Sequence, residues 1–394
     1  MNHVALVLPG IEHLAGAERQ AILLAKGLAR RGWRVSVIGL TGEGGDAARD
    51  LEAARVSFVS LRMRKGVFDP RGWVRFHRWI KEHAPDVLHA HLPHGSWMAR
   101  GVRILTPVRA VVDTIHTSSV GPPWRRVAYR ASGWLSDRVT AVSREVAEAY
   151  VSAGAVRAEQ MTVVPNGVDV DEWAPDEDER QDVREELGLT GEFLWCAAGR
   201  LEPVKNYPAL LQAFASLPDW AELVIVGAGS QESRLRALAS DPAFGNRVRF
   251  LGFQANVRRW MRAADGFVLS SLWEGLPVSL LEASACGLPS VATAVSGARD
   301  VVVEGETGYL AEPGSIESLA RAMHRVMQIS PVSRRSMGLD ARQRVTEEFS
   351  LEAVLDRWEE LYCELLGQNP EPERHGAAAV REDRRSVTAS PLRP

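Results

Sequence analysis

GFVLSSLWEGLPVSLLEASACGLPSVAT occupies residues 266–293. It opens on a short apolar run, GFVLSS (266–271), and closes on a second that starts at Ser290. Between them Pro277 suits a first helical turn, and Gly287 suits a helix end ahead of Pro289. The stretch reads strand, loop, helix, strand. Two glutamates, Glu274 and Glu282, sit eight positions apart in a segment otherwise apolar enough for a core. Carboxylates are rarely buried without partners, so the simplest account points both to water. Placement offers another account. Glu274 falls in the loop at the carboxyl end of a strand, and Glu282 one to two turns into the helix that follows. A helix start presents unpaired amides and partial positive charge, which suits phosphate. Carboxylates that accept from hydroxyls beside a phosphate site fit a sugar nucleotide.

The same alternation extends in both directions. VALVLP (4–9), VSVIGL (35–40), VSFVSL (56–61), DVLHAH (86–91), AVVDTIH (110–116), RVTAVS (138–143) and MTVVP (161–165) read as strands. Helical patterns such as GAERQAILLAKGLARR (16–31) lie between most of them. DVDEWAPDEDERQD (169–182) reads as an acidic connector, after which FLWCAAG (193–199), AELVIVG (221–227), VRFLG (248–252), GFVLSS and SVATAV (290–295) resume the pattern. Near-continuous apolar strands separated by helices imply parallel sheets covered on both faces. The expected class is α/β, with two doubly wound parallel-sheet domains, residues 1–170 and 171–350, facing across a cleft. Helical patterns continue through 315–366, and 368–394 has the composition of a disordered tail.

A chain of 394 residues with 45% hydrophobic and 25% charged side chains suits two globular domains. Its three cysteines, Cys196, Cys286 and Cys363, are widely spaced and lack a CxxC, which speaks against a disulfide framework or thiolate metal site and for a reducing, cytoplasmic setting. The start, MNHVALVLPG, lacks a leader pattern, and no run is long enough to span a bilayer. The net charge of −3 hides an asymmetry: residues 1–170 carry 23 Lys+Arg against 15 Asp+Glu, and the remainder 24 against 35.

Positive charge for a diphosphate is available after the first strand of the second half, in GRLEPVKNYPALLQAF (199–214). Arg200 offers a bidentate fork and Lys205 a point charge, a pair able to offset a diphosphate without metal. In GAGSQESRL (227–235), Gly227 and Gly229 read as letting backbone approach a ligand.

With these motifs the chain resembles the retaining glycosyltransferases of family GT4, whose fold, GT-B, pairs two Rossmann-like domains. The likeness covers residues 1–366. It rests on the EX7E pair Glu274 and Glu282, GRLEPVKN, VVPNGVD (163–169), RFLGF (249–253), ETGYLAEPG (306–314), LAGAER (14–19), TIHTSS (114–119) and AVSREV (141–146). Three positions depart from the usual pattern: Ala15 and Ser296 stand where paired glycines are common, and Ser270 where proline is. The resemblance implies that Arg200 and Lys205 bind diphosphate, Glu282 the ribose, Glu274 the transferred sugar, and that His116 lies at the reacting centre. It adds Gly16, Asn166, Gly227, Gly229, Gly252 and Phe253 to the donor side, with Gly275, Leu276, Pro277 and Val278 around the first glutamate. His91, His94 and Ser143 fall on the acceptor side. A C-terminal helix near 351–366 is expected to pack back on the first domain. The implied donor is a UDP-sugar or GDP-sugar, the acceptor a saccharide or lipid-linked saccharide, and no cofactor is called for. Two other readings share these residues: a nucleotide-sugar 2-epimerase of the same fold and a non-catalytic sugar-nucleotide binding subunit.

HAHLPH (89–94) imitates a metal site, but no histidine occurs between 116 and 324 to complete one. Asp169-Val170-Asp171 imitates a metal-binding DxD, yet it follows PNG in the connector and reads as a turn. No GxSxG follows a strand, so a serine hydrolase lacks support. LRMRKGVFDPRGWVRFHRWIKEH (61–83) holds seven Lys+Arg against two acids, interleaved with aromatics. At helical spacing Trp73, Phe76 and Ile80 face the core while Arg71, Arg75, Arg78 and Lys81 face out, either as a solvated face or against anionic lipid. The acidic second half and the lack of a nucleic-acid module exclude nucleic acid as partner.

Overall fold

The computed structural model describes residues 2–12, 15–64 and 69–368. The expected tail from residue 369, residues 65–68 of the basic segment and Leu14 lie outside the described residues. Seven strands, β1 (His3–Leu8), β2 (Arg34–Gly39), β3 (Ser57–Ser60), β4 (Val87–His91), β5 (Ala110–Ile115), β6 (Arg138–Ala141) and β7 (Met161–Val163), form one parallel sheet in the order β3-β2-β1-β4-β5-β6-β7. Six more, β8 (Phe193–Ala198), β9 (Ala221–Val226), β10 (Val248–Gly252), β11 (Gly266–Leu269), β12 (Ser290–Thr293) and β13 (Gly308–Ala311), form a second in the order β10-β9-β8-β11-β12-β13. Every residue of β1, β5 and β8 is buried, which is why these strands read as unbroken apolar runs.

In each sheet the strand order reverses once, between β1 and β4 and between β8 and β11. Loops leaving the carboxyl ends of neighbouring strands diverge there and open a crevice. The first reversal places Ala15 and His91 at such a crevice, and the second places Arg200 and Glu274 at the other.

Four details differ from the sequence reading. Strand β13 is present although its four residues, GYLA, begin with glycine and include no β-branched side chain. The later part of the acidic connector is the helix Glu177–Leu187: Asp176 caps it by accepting from Glu179 N at 2.9 Å, and three acids occupy the first turn, where the helix dipole favours them. The continuous helical pattern through 315–366 is three helices, Ile316–Gln328, Pro331–Phe349 and Leu351–Leu366, the last two capped by the Ser330 and Ser350 hydroxyls. The helix after Glu274 is Val278–Ala285, with Pro277 at its cap rather than inside it.

The chain crosses between the sheets twice, and the crossings lie side by side. Val168 N donates to Phe349 O at 2.9 Å, and Leu351 N donates to Val168 O at 2.8 Å. Beyond this point Leu351–Leu366 returns to the first sheet, burying Leu355, Trp358 and Tyr362 in the same cluster as β1 and the helix Gly16–Arg30. A side chain at Gly27 would meet Leu355 at 2.6 Å, so helix lies directly on helix. Another core cluster joins Val142 and Val146 of the first half to Leu276 and Val295 of the second.

The basic helix Pro70–His83 turns Phe76, Trp79 and Ile80 inward, with Trp73 half-buried against Gly101. Next to it, Arg100 on the helix Leu92–Leu105 is 1% exposed and bonds Asp113 of β5 at 2.8 Å. Its Nη1 donates to Tyr129 O at 3.1 Å and Ser132 Oγ at 2.8 Å, fastening the helix Pro123–Ala131. Among the described residues, no helix is long and apolar enough to cross a membrane.

Candidate active site

The donor side is built from the loops after β8 and β11. Arg200, two residues past β8, is exposed, and its guanidinium makes no hydrogen bond or ion pair among the described residues. The turn Pro203–Lys205 then carries Lys205 to Glu274, whose Oε1 accepts from Lys205 Nζ at 2.5 Å and from Ser271 Oγ at 2.6 Å. The two charged side chains are 15% and 14% exposed. Burial at this depth requires the partner, and here each supplies it to the other.

Glu282 stands differently. It is partly buried on Val278–Ala285, and its carboxylate receives no hydrogen bond among the described residues. Burial lifts its pKa from the usual 4.5 to about 7, with Arg19 opposing the rise and Glu172 adding to it. A half-desolvated carboxylate without donors is prepared to accept from a ligand. No side chain caps the helix start at Pro277, so its first amides remain open beside Gly275 and Leu276.

The facing wall comes from β4 and β5. His116 Nε2 lies 3.0 Å from His91 Nδ1. Burial pushes the His116 pKa down to about 4, and burial together with the neighbouring imidazoles holds His91 well below its ordinary value. Both rings are therefore neutral at neutral pH, and one N–H is shared between them. His91 is 2% exposed, and its Nε2 is unpartnered beside a cavity of about 20 Å³ lined also by Gln20, Asn166 and Trp358. That volume suits one water.

The two walls touch. Asn166 Nδ2 donates to Leu276 O at 3.1 Å and Ser118 Oγ to Glu274 O at 3.3 Å, while Ser296 Oγ, from the same half as Glu274, donates to that carbonyl at 2.7 Å. A Cβ on Gly275 would fall 2.0 Å from His116 O, so only glycine lets the glutamate loop seat against the histidine.

Lys205 and Glu274 thus meet on one side of the crevice, with Arg200 exposed two residues past β8, Glu282 on the following helix, Gly16 open on the first helix and Phe253, after Gly252, exposed beyond β10. Other sequence candidates take different places. A Cβ on Gly227 would lie 2.0 Å from Gly199 O, and one on Gly229 2.5 Å from Leu201 O, so these glycines serve the packing of loop on loop. Ser143 is buried, and its hydroxyl caps the helix Arg144–Ser152. His94 is exposed in the first turn of Leu92–Leu105 and stacks edgewise on Trp97. His89 is a core residue, bonded to Tyr362 at 2.7 Å and Thr114 at 2.6 Å. Sequence reasoning missed Arg19 and Ser271. Arg19 is exposed one turn into the helix after β1, and its charge acts on Glu282.

Residues 14–172 match the family described as Glycosyltransferase Family 4, and residues 179–344 match Glycosyl transferases group 1. The chain belongs to glycosyltransferase family 4. This family 4 chain is 27% identical over 333 residues to the UDP-Gal:alpha-D-GlcNAc-diphosphoundecaprenol alpha-1,3-galactosyltransferase of Escherichia coli, covering 80% of this chain and 85% of that one. It is 34% identical over 250 residues to the GDP-mannose-dependent alpha-(1-6)-phosphatidylinositol monomannoside mannosyltransferase of Mycolicibacterium smegmatis, covering 59% of this chain and 65% of that one. Its fold superposes on Anabaena HepE, solved in complex with UDP, with a TM-score of 0.81 and 23% identity over 92% of this chain and all of the other. The protein is a glycosyltransferase of the GT-B fold.

Proposed function

We propose that this glycosyltransferase moves a hexose from a nucleoside-diphosphate sugar, UDP-linked in preference to GDP-linked, to an acceptor hydroxyl with retention of anomeric configuration. The acceptor is a saccharide carried on a lipid, and the product belongs to a cell-surface polysaccharide or glycolipid made on the cytoplasmic side. The observation that carries the reading is the buried Lys205–Glu274 pair beside the uncapped start of Val278–Ala285, where Gly275 packs against His116 O. The names of both curated relatives support a lipid-borne acceptor.

In this mechanism Arg200, Lys205 and the helix start take up charge on the departing diphosphate, which removes the acceptor proton on the same face of the sugar. Glu282 holds the ribose. Lys205 exchanges its bond to Glu274 for the diphosphate, and Glu274 is released toward the sugar. Lys205→Ala then weakens bare UDP roughly tenfold to a hundredfold, the worth of one charge-assisted contact. Glu274→Gln leaves UDP affinity intact, because it frees the lysine, and lowers transfer instead. Calorimetry with UDP, beside transfer kinetics and the anomeric NMR signal of the product, tests both statements. Equal loss of UDP affinity in the two variants overturns the assignment of roles, and an inverted product overturns the mechanism.

A further inference from the structure

The helix Pro123–Ala131 carries its large side chains on the wrong side for a core. Only Tyr129 is buried, while Trp124 and Val127, one turn apart, lie open. The following turn exposes Trp134, and the neighbouring helix Leu92–Leu105 ends in exposed Ile104 and Leu105. These five side chains are each between 59% and 69% exposed. They belong to one surface: Arg103 Nη1 donates to Leu135 O at 3.2 Å, Trp97 meets Trp124 with ring centroids 5.7 Å apart, and buried Arg100 ties the two helices together from beneath. A cluster of exposed aromatics and aliphatics marks a contact surface rather than ordinary scatter.

Charge identifies the contact. Residues 114–136 include Arg125, Arg126 and Arg130 and no acid. The bordering Asp137 is neutralised by Arg103 at 2.6 Å, and Asp113 lies buried with Arg100. Arg126 and Arg130 are exposed on the same helix as Trp124 and Val127. A short helix flanked by tryptophans, aliphatics and exposed arginines has the chemistry of the interface of an anionic bilayer, where indoles sit at the headgroup level and arginines meet phosphates. The adjoining helix Pro70–His83 adds exposed Arg71, Arg78 and Lys81 but turns Phe76 and Trp79 inward, so it supplies charge without anchors.

We propose that the surface formed by Pro123–Ala131, Trp134 and the end of Leu92–Leu105 docks on a bilayer of anionic phospholipid. It lies close to the reacting centre. Eight positions separate His116 from Trp124, a span of no more than about 28 Å even when fully extended. The rings of His94, Trp97 and Trp124 run between surface and crevice at centroid spacings of 6.0 and 5.7 Å. Docking presents the acceptor side of the cleft to the membrane, and the proposal holds whichever sugar is transferred.

The test is co-sedimentation of the full chain with phosphatidylglycerol vesicles and with neutral phosphatidylcholine vesicles. The protein binds the anionic vesicles, and added salt weakens it as surface charges are screened. Each basic residue near such a surface is worth on the order of fivefold in partitioning, so Arg126→Glu with Arg130→Glu weakens binding at least about 25-fold. Trp124→Ser with Trp134→Ser weakens it at least tenfold, while Trp124→Phe with Trp134→Phe retains binding but loses its share of quenching by brominated lipid. UDP affinity, measured on each variant without vesicles, stays unchanged and reports an intact fold. Wild-type protein left in the supernatant with anionic vesicles overturns the proposal, as does equal sedimentation of the serine variant. A wild-type dimer that the serine variant breaks assigns the surface to a second copy and likewise overturns it.

Discussion

Lowering the pH from 8 to 6 carries Glu282 through its own titration, near 7, while His116, near 4, stays neutral throughout. The elevated value means that the free enzyme favours the protonated acid as pH falls, whereas ribose hydroxyls donate to the carboxylate. Ligand and proton therefore compete. If only the ionised form accepts the ribose, apparent affinity for a nucleoside diphosphate weakens about twofold by pH 7 and about tenfold by pH 6 relative to pH 8. Hydroxyl donors also pull the carboxyl back toward its ordinary range, so binding at pH 7 releases up to about half a proton. Calorimetry at three pH values, in two buffers of different ionisation enthalpy, reads both quantities. The phosphate of the ligand titrates near pH 6 as well, but it does so equally with Glu282→Gln, so the difference between the two proteins isolates the glutamate. The same linkage acts on folding: a carboxyl raised to about 7 stabilises the fold less as pH rises past 4.5, up to about 3 kcal/mol, and Glu282→Gln should unfold later than wild type at pH 8. An identical pH slope and proton count in wild type and variant would refute the assignment of Glu282 to the ribose.

Two further outcomes rest on the contacts across the cleft and beneath the first domain. Gly275→Ala forces its new methyl against His116 O, a clash of about 1–3 kcal/mol that parts the two walls; kcat/KM for transfer falls roughly tenfold to a hundredfold while UDP affinity is spared, and full activity would show that the walls need not meet. Arg100→Met strands Asp113 without its partner in the core, so denaturant unfolding should show a loss of about 3–5 kcal/mol, and a loss below 1 kcal/mol would mean that the pair is solvated.

Strands β1, β2, β4, β5, β8 and β9 are legible in the sequence because burial on both faces writes an apolar run, and the helices between them imply that they run parallel. Arg200 and Glu274 stand out in the sequence as candidates as well, since each is a charged residue within a few positions of the end of a buried strand. The bond from Lys205 to Glu274 is not legible, because 69 residues separate them and only side-chain geometry brings them together. Nor is the close approach of Gly227 to Gly199 O, which only the packing of one loop on another reveals. The outward face of Pro123–Ala131 is not legible either: Trp124 and Val127, three positions apart, have a spacing that a core-facing stripe shares, and only the structure shows them exposed.

The return of Leu351–Leu366 to the first sheet has a consequence for synthesis. On the ribosome the strands of that sheet are complete by Val163, yet the apolar face of Gly16–Arg30 and the edge of Tyr362 against His89 wait for the final helix. At usual elongation rates roughly 200 residues must be made in between, which takes about 10–40 s. During that interval the second domain emerges and folds beside a first domain whose core is open along one side. The half that begins the chain is the last to be finished, and a chain cut short before residue 351 loses the lid of the opposite domain rather than a trailing end.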